Sequence, residues 1–150
     1  MTIDYKISDM LEKDLEEKDM KEALKNLVKT LRKKITHYTW VGVYMVEGDE
    51  LVLWAWDGNA ATEHTRIPIG EGICGLAASI GESVVVDDVS KDTKYLMCFP
   101  ATKSEIVVPI IGEEVHGEID IDSDKLAAFT SEDQSFLELL AALIAQKIEE

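Results

Sequence analysis

The sequence predicts an α+β domain with a central antiparallel sheet, helices from both chain ends on one face and ligand-covering loops on the other. Three observations predict it. Amphipathic helical segments stand near both ends, two pairs of β-rich runs are each joined by a tight turn, and the stretches without hydrophobic period fall between strands. A length of 150 residues with 46% hydrophobic composition suits one core between a sheet and a few helices, so residues 1–150 are read as a single domain.

From about Ser8 to Ile35 the chain is charged, and Leu24, Leu27, Val28, Leu31 and Ile35 recur at the spacing of one helical face. Trp40 to Val46 and Leu51 to Trp56 are β-rich runs around Glu47-Gly-Asp-Glu50, which reads as a hairpin. Asp57 to Thr65 reads as a loop. Arg66 to Ile69 is short and extended, because proline disfavours helix at the residue before it. Gly70-Glu-Gly-Ile-Cys74-Gly75 opens a short helical piece, Leu76 to Ile80, which Gly81 closes. Ser83 to Val86 reads as a strand and Asp87 to Ser104 as a long loop carrying Cys98. Ile106 to Ile111 and Val115 to Ile121 form a second hairpin over a Gly-Glu-Glu turn. Thr130-Ser-Glu-Asp133 has the form of a capping box. It opens a last helix to about Lys147, with Phe136, Leu139, Leu140, Leu143 and Ile144 on one side.

Thirty acidic residues against fifteen basic ones give a net charge of −15, a field that repels phosphate backbones and anionic lipid surfaces. Nucleic acid and membrane partners are therefore not expected. No apolar run approaches the roughly 20 residues needed to span a bilayer, and the first residues lack the charged-then-apolar layout of a signal peptide. A cytoplasmic protein is expected.

Cys74 and Cys98 are too few for a disulfide-stapled scaffold or a four-cysteine zinc knuckle. In a reducing compartment they are either inert core thiols or redox-active ones. Glycines 70, 72 and 75 suggest a phosphate loop, but no Lys-Ser/Thr pair follows and neither nucleotide fingerprint fits. They read better as bringing backbone close to a ligand, with Cys74 at a helix start where backbone N–H groups favour a thiolate. Trp40 and Tyr44 face one side of their strand, as core residues or as a pocket wall. Asp120 and Asp122 also share a side, with Ile119 and Ile121 opposite, and two such acids ordinarily mark a solvated face. Glu105, ahead of an apolar run, would ordinarily be a solvated strand end. Zinc held by His64, Cys74 and Cys98 would lack any recurrent ligand spacing, so no metal is expected. His37 and His116 receive no partner at this level, while Arg66 is open to pairing with an acid near the pocket or with a substrate carboxylate and stays outside the catalytic set.

Thr65-Arg66-Ile67-Pro68-Ile69-Gly70-Glu71-Gly72-Ile73-Cys74-Gly75 resembles the R-I-P-x-G-x-G-V-C-G signature of the free methionine-(R)-sulfoxide reductases, a GAF-fold family. Trp40-Val-Gly-Val-Tyr44, Cys98 ahead of Ser104-Glu105-Ile-Val-Val-Pro109, and Gly117-Glu-Ile-Asp120-Ile-Asp122-Ser123 follow that resemblance in order, from about Leu24 to the last helix. The resemblance implies Cys98 as nucleophile and Cys74 as resolving cysteine. It also implies Glu105, Asp120 and Asp122 as pocket carboxylates, and Trp40 and Tyr44 as the wall at the substrate's methyl end. It further implies a homodimer through the terminal helices, no bound cofactor, and an external thioredoxin or other dithiol reductant. In one respect the sequence departs: the family often has a third cysteine where His64 stands. Either Cys74 is then the sole resolver or the function has changed; the first is expected, because the other site residues remain.

Sulfoxide reduction needs a thiolate to attack sulfur and an acid to protonate the departing oxygen. Clustered carboxylates supply the acid, since like charges in one pocket cannot all ionise, and the remaining charge can hold the substrate ammonium. A sulfenic acid left on Cys98 would condense with Cys74, and the disulfide would be reset by thiol exchange. The rival readings are a non-catalytic GAF sensor of a small ligand and a thiol redox switch without substrate.

Overall fold

The structure, a computed structural model, describes residues 5–92 and 99–150. In chain order its elements are α1 (Tyr5–Asp14), α2 (Met20–Lys34), β1 (Trp40–Glu47), β2 (Glu50–Gly58), β3 (Arg66–Pro68) and α3 (Gly72–Ile80). There follow β4 (Val84–Val86), a 3-10 turn at Val89–Lys91, β5 (Ser104–Ile111), β6 (Val115–Ser123) and α4 (Ser131–Ile148). The strands form one antiparallel sheet in the order β3-β2-β1-β6-β5-β4. This is the expected α+β architecture, with both hairpins in place.

Alternation along the strands divides the protein into two apolar layers. Val41, Val43, Ile106, Val108, Ile110, Ile119 and Ile121 face α1, α2 and α4. The opposite residues Trp40, Tyr44 and Val107 pack with Ile67, Ile73, Cys74 and Ala77 beneath α3 and the β3 segment. A fully buried aliphatic side chain contributes about 1.5–3 kcal/mol relative to exposure, so the first layer carries most of the hydrophobic stabilisation.

The expected single helix from Ser8 to Ile35 is two helices. Asp19 has extended backbone and accepts a hydrogen bond from the Glu22 N–H (3.1 Å), so it caps a fresh start at Met20. The Thr30 hydroxyl donates to Asp14 (2.6 Å) and ties the two helices together. Along α2, Leu24, Leu27, Val28 and Leu31 are buried as their spacing predicts.

The capping box that opens α4 is present, with Thr130 as N-cap and Asp133 answering it. The apolar face of α4 differs from the expected one: Leu137, Leu140, Ala141, Ile144 and Ala145 are buried, whereas Leu139 is 69% and Leu143 40% exposed. Five apolar residues spread wider than one stripe leave the choice of buried face to the sheet beneath.

Asp133 also accepts from the Tyr38 hydroxyl (2.7 Å) and contacts His37 Nε2 (3.0 Å), which anchors the α2–β1 connection to the start of α4. His116 pairs with Glu149 (2.7 Å). Both histidines thus hold structural partners. Among the described residues no helix is long and apolar enough to cross a membrane.

Candidate active site

Three neighbouring strands bring the expected site residues together. Across the β1–β6 pair, Trp40 opposes Asp122, Gly42 opposes Asp120 and Tyr44 opposes Glu118. Across the β5–β6 pair, Glu105 opposes Asp122. Because side chains alternate, all of these point to the α3 side of the sheet. Cys74 reaches the same place from α3, and the nearest ligand atoms of Cys74, Glu105 and Asp120 all lie within 4.8 Å of one another. Cys98 lies outside the described residues.

The solvated strand face that two acids ordinarily mark is not what forms. Glu105, Asp120 and Asp122 are each at most 5% exposed, and Glu118 is wholly buried. Glu118 was not singled out in the sequence. Its signal was there, since Glu118, Asp120 and Asp122 alternate along one strand as a single row.

Among the described residues no lysine or arginine lines the small cavity over these acids, whose walls are Tyr44, His64, Ile67, Ile73, Cys74, Glu105 and Asp120. Among the described residues, both Glu118 oxygens and one oxygen each of Asp120 and Asp122 lack a hydrogen-bond partner. The other Asp122 oxygen accepts from the Thr102 hydroxyl (3.3 Å). Carboxyls so enclosed hold protons more tightly. Burial pushes Glu105 well above the usual carboxylate range, and the charges of Asp120 and Asp122 add to it. Asp122 and Glu118 are raised by burial and by the charge of Asp120. Asp120 is raised by burial, while hydrogen bonds from Glu105 and Cys74 oppose the rise. Burial thus makes each carboxyl of the cluster a weaker acid than a free one.

The same field corrects the expectation for Cys74. A helix start favours a thiolate, but burial first, and then the charges of Asp120, Glu118 and Glu105, push this thiol well above its usual value. Gly75 beside it has a packing role. A β-carbon on Gly75 would crowd the backbone of Pro68 and Gly70, and the Gly70 N–H donates to the Gly75 carbonyl (2.9 Å). Gly75 thus lets α3 press against the end of β3, which seats Cys74 over the acids.

Trp40 lies flat on the sheet. A β-carbon on Gly42 or Gly58 would overlap its ring, so these two glycines form its floor. Its ring stacks beside Trp56 at 6.4 Å between centroids and meets Phe99 at 5.7 Å. The indole N–H is buried and has no hydrogen-bond partner among the described residues. The Tyr44 hydroxyl donates to the His64 carbonyl (2.7 Å), which holds the loop before β3 against β1. Arg66 points away from the site and pairs with Glu50 at the surface (3.5 Å).

This geometry pairs an aromatic wall with a row of protonatable carboxyls and a thiol. It can protonate a departing oxygen, hold a cationic group against the remaining charge, and oxidise or reduce sulfur. Cys74, Glu105 and Asp120 also have donor types that suit a divalent cation.

The GAF domain family model matches residues 17–149 of the chain. The free methionine-R-sulfoxide reductase of Escherichia coli K12 is 36% identical over 121 residues, which span 80% of this chain and 72% of that protein. The type II free methionine-R-sulfoxide reductase of Thermoplasma acidophilum superposes with a TM-score of 0.81 at 43% identity, covering 87% of this chain and 96% of that one. The Neisseria meningitidis free methionine-R-sulfoxide reductase, solved in complex with its substrate, superposes with a TM-score of 0.86 at 33% identity, covering 99% and 93%. The chain belongs to the GAF domain family and, within it, to the free methionine-R-sulfoxide reductases, a family of oxidoreductases.

Proposed function

We propose that the protein reduces free L-methionine-(R)-sulfoxide to methionine, with Cys98 as nucleophile and Cys74 as resolving thiol. The observation that carries this reading is the row of buried carboxyls beside Cys74, on the same face of the sheet as Trp40 and Tyr44. A simple ligand sensor has no need of a thiol set among such acids.

In this reading the S-methyl group rests against Trp40 and Tyr44, where sulfur and methyl contacts with rings are favourable by up to about 1 kcal/mol. One carboxyl of Glu105, Asp120 and Asp122 protonates the sulfoxide oxygen as the Cys98 sulfur attacks. The remaining negative charge holds the substrate ammonium. Methionine leaves, Cys98 carries a sulfenic acid, and Cys74 condenses with it to a disulfide and water. A thioredoxin-type dithiol then restores both thiols by exchange, with no bound cofactor. The setting is the reducing cytoplasm.

The working unit in this reading is a homodimer. The apolar groove between α1 and α4, lined by Leu11, Phe136, Leu139, Leu140 and Leu143, is the surface proposed for the second copy.

Separated R and S isomers of free methionine sulfoxide, each mixed with the pre-reduced protein, test the activity. Methionine release from the R isomer alone is expected. Release from neither would favour the ligand-sensing reading.

A further inference from the structure

Cys74, Glu105 and Asp120 come from three different elements, α3, β5 and β6, yet their nearest donor atoms all lie within 4.8 Å of one another. All three are buried, and Asp120 is only 3% exposed. The register explains the convergence. Asp120 stands opposite Val107, two residues along β5 from Glu105, so the two carboxyls are diagonal neighbours on one face of the sheet. Gly75 lets α3 press against the end of β3, which lowers Cys74 onto them. This donor set leaves no ligand spacing along the chain, and it differs from the set of His64, Cys74 and Cys98 weighed in the sequence. Asp120 lines the cavity, and its Oδ1 is buried with no hydrogen-bond partner among the described residues. A buried acid oxygen left in that state is unfavourable for folding. Among the described residues no lysine or arginine lines the cavity to offset the acids. Its volume is about 10 Å³, room for one water-sized body. Charge and size both suit a single cation.

We propose that Cys74, Glu105 and Asp120 form a binding site for a thiophilic divalent cation of the zinc class. One sulfur and two carboxylate oxygens are donors that zinc accepts in tetrahedral geometry, at about 2.0–2.3 Å, with water in the fourth position. The sulfur donor selects against magnesium and calcium, which take oxygen donors. Burial first, and repulsion among the acids second, hold protons on Cys74 and Glu105. A bound zinc expels them, since a coordinated thiol is deprotonated outright and the ion brings two positive charges to a site of negative ones. The ion fills the cavity and occupies the Cys74 sulfur, so it excludes methionine sulfoxide. That exclusion rests on the proposed function, whereas the binding itself does not.

The pre-reduced full chain, stripped of metal with a chelator, is dialysed against zinc chloride, and cobalt chloride serves as the spectroscopic probe. One zinc should bind per chain and should stay bound in excess magnesium chloride. Cobalt should give a sulfur-to-cobalt charge-transfer band in the near ultraviolet. The band should persist in Cys98→Ser, where Cys74 is the only remaining thiol, and vanish in Cys74→Ser. Glu105→Gln and Asp120→Asn should each weaken zinc binding by about tenfold or more, since even the outer partners of a metal site cost that much. Circular dichroism confirms folding, and if Cys74→Ser does not fold, the band in Cys98→Ser carries the test. The proposal would be overturned by no zinc on the unmutated chain, by no band in Cys98→Ser, or by zinc held equally well in the folded Cys74→Ser and Asp120→Asn variants. Zinc should also abolish methionine release from the R sulfoxide, and a chelator should restore it. Undiminished release from the zinc-loaded chain would overturn the exclusion of substrate. No release from the metal-free chain, with zinc still binding at Cys74, would instead count against the proposed function alone.

Discussion

Trp40 and Asp122 are direct partners across the β1–β6 ladder, which sets an aromatic ring and a buried carboxyl side by side on one face of the sheet. The ring can lie flat there because Gly42 and Gly58 present no β-carbon beneath it. Gly58→Ala should therefore lift or rotate the indole. The expected result is a loss of about 1–3 kcal/mol of stability from overpacking, a severalfold rise in KM for the sulfoxide, and a shifted tryptophan emission. Denaturant melts and steady-state kinetics check it.

The raised carboxyls make a prediction about stability and pH. Glu105, Glu118, Asp120 and Asp122 hold protons in the folded chain at pH values where the unfolded chain has released them. The folded state then binds more protons, so stability should fall as pH rises from about 4 through neutrality. Asp133 acts in the opposite sense. Its burial is outweighed by hydrogen bonds from Thr130, Tyr38 and His37, which hold it below the usual carboxylate range, and that contribution is lost as pH falls below about 4. Urea midpoints between pH 3 and 8 should peak on the acidic side, and Asp122→Asn should raise the midpoint at pH 8.

Neutralising a pocket acid should have the reverse effect on chemistry. Asp120→Asn retains the shape of the cavity yet removes a proton carrier, and a loss of about 10²–10⁴ in kcat is expected. Glu105→Gln should behave alike, since both belong to one proton-sharing group. Rapid-quench methionine release over pH 5–9 measures it, and the pH dependence should flatten with the rate.

The exposed leucines of α4 make the proposed homodimer testable. Leu139 is 69% exposed, so Leu139→Glu should change monomer stability by less than about 0.5 kcal/mol. Sedimentation should then show a monomer where the unmutated chain sediments as a dimer.

Much of this was legible in the sequence. Alternation separated Ile119 and Ile121 from Asp120 and Asp122, and the structure places these pairs in opposite layers. The hairpins and the Thr130 capping box followed from local chemistry. The long amphipathic stretch did not reveal its break, because the Asp19 cap is a single short-range bond inside a continuous helical pattern. Leu139 and Leu143 share the apolar side read for α4 yet stay exposed, because the buried stripe is selected by β5 and β6, not by the helix's own periodicity. The state of Cys74 was hidden for a similar reason: helix position is local, whereas the burial and the three acids that raise its thiol come from distant strands. Glu118 was passed over because a lone glutamate beside a glycine reads as surface until its row is seen to be covered.

The central claim is that one sulfoxide is reduced by the two cysteines acting in order. The most direct measurement is single-turnover chemistry on the unmutated chain, Cys74→Ser and Cys98→Ser, with methionine release and thiol state followed together by mass spectrometry. The account predicts one methionine and a Cys74–Cys98 disulfide from the unmutated chain, one methionine and a persistent Cys98 sulfenic acid from Cys74→Ser, and none from Cys98→Ser. An equal yield of methionine from Cys98→Ser and the unmutated chain would contradict it.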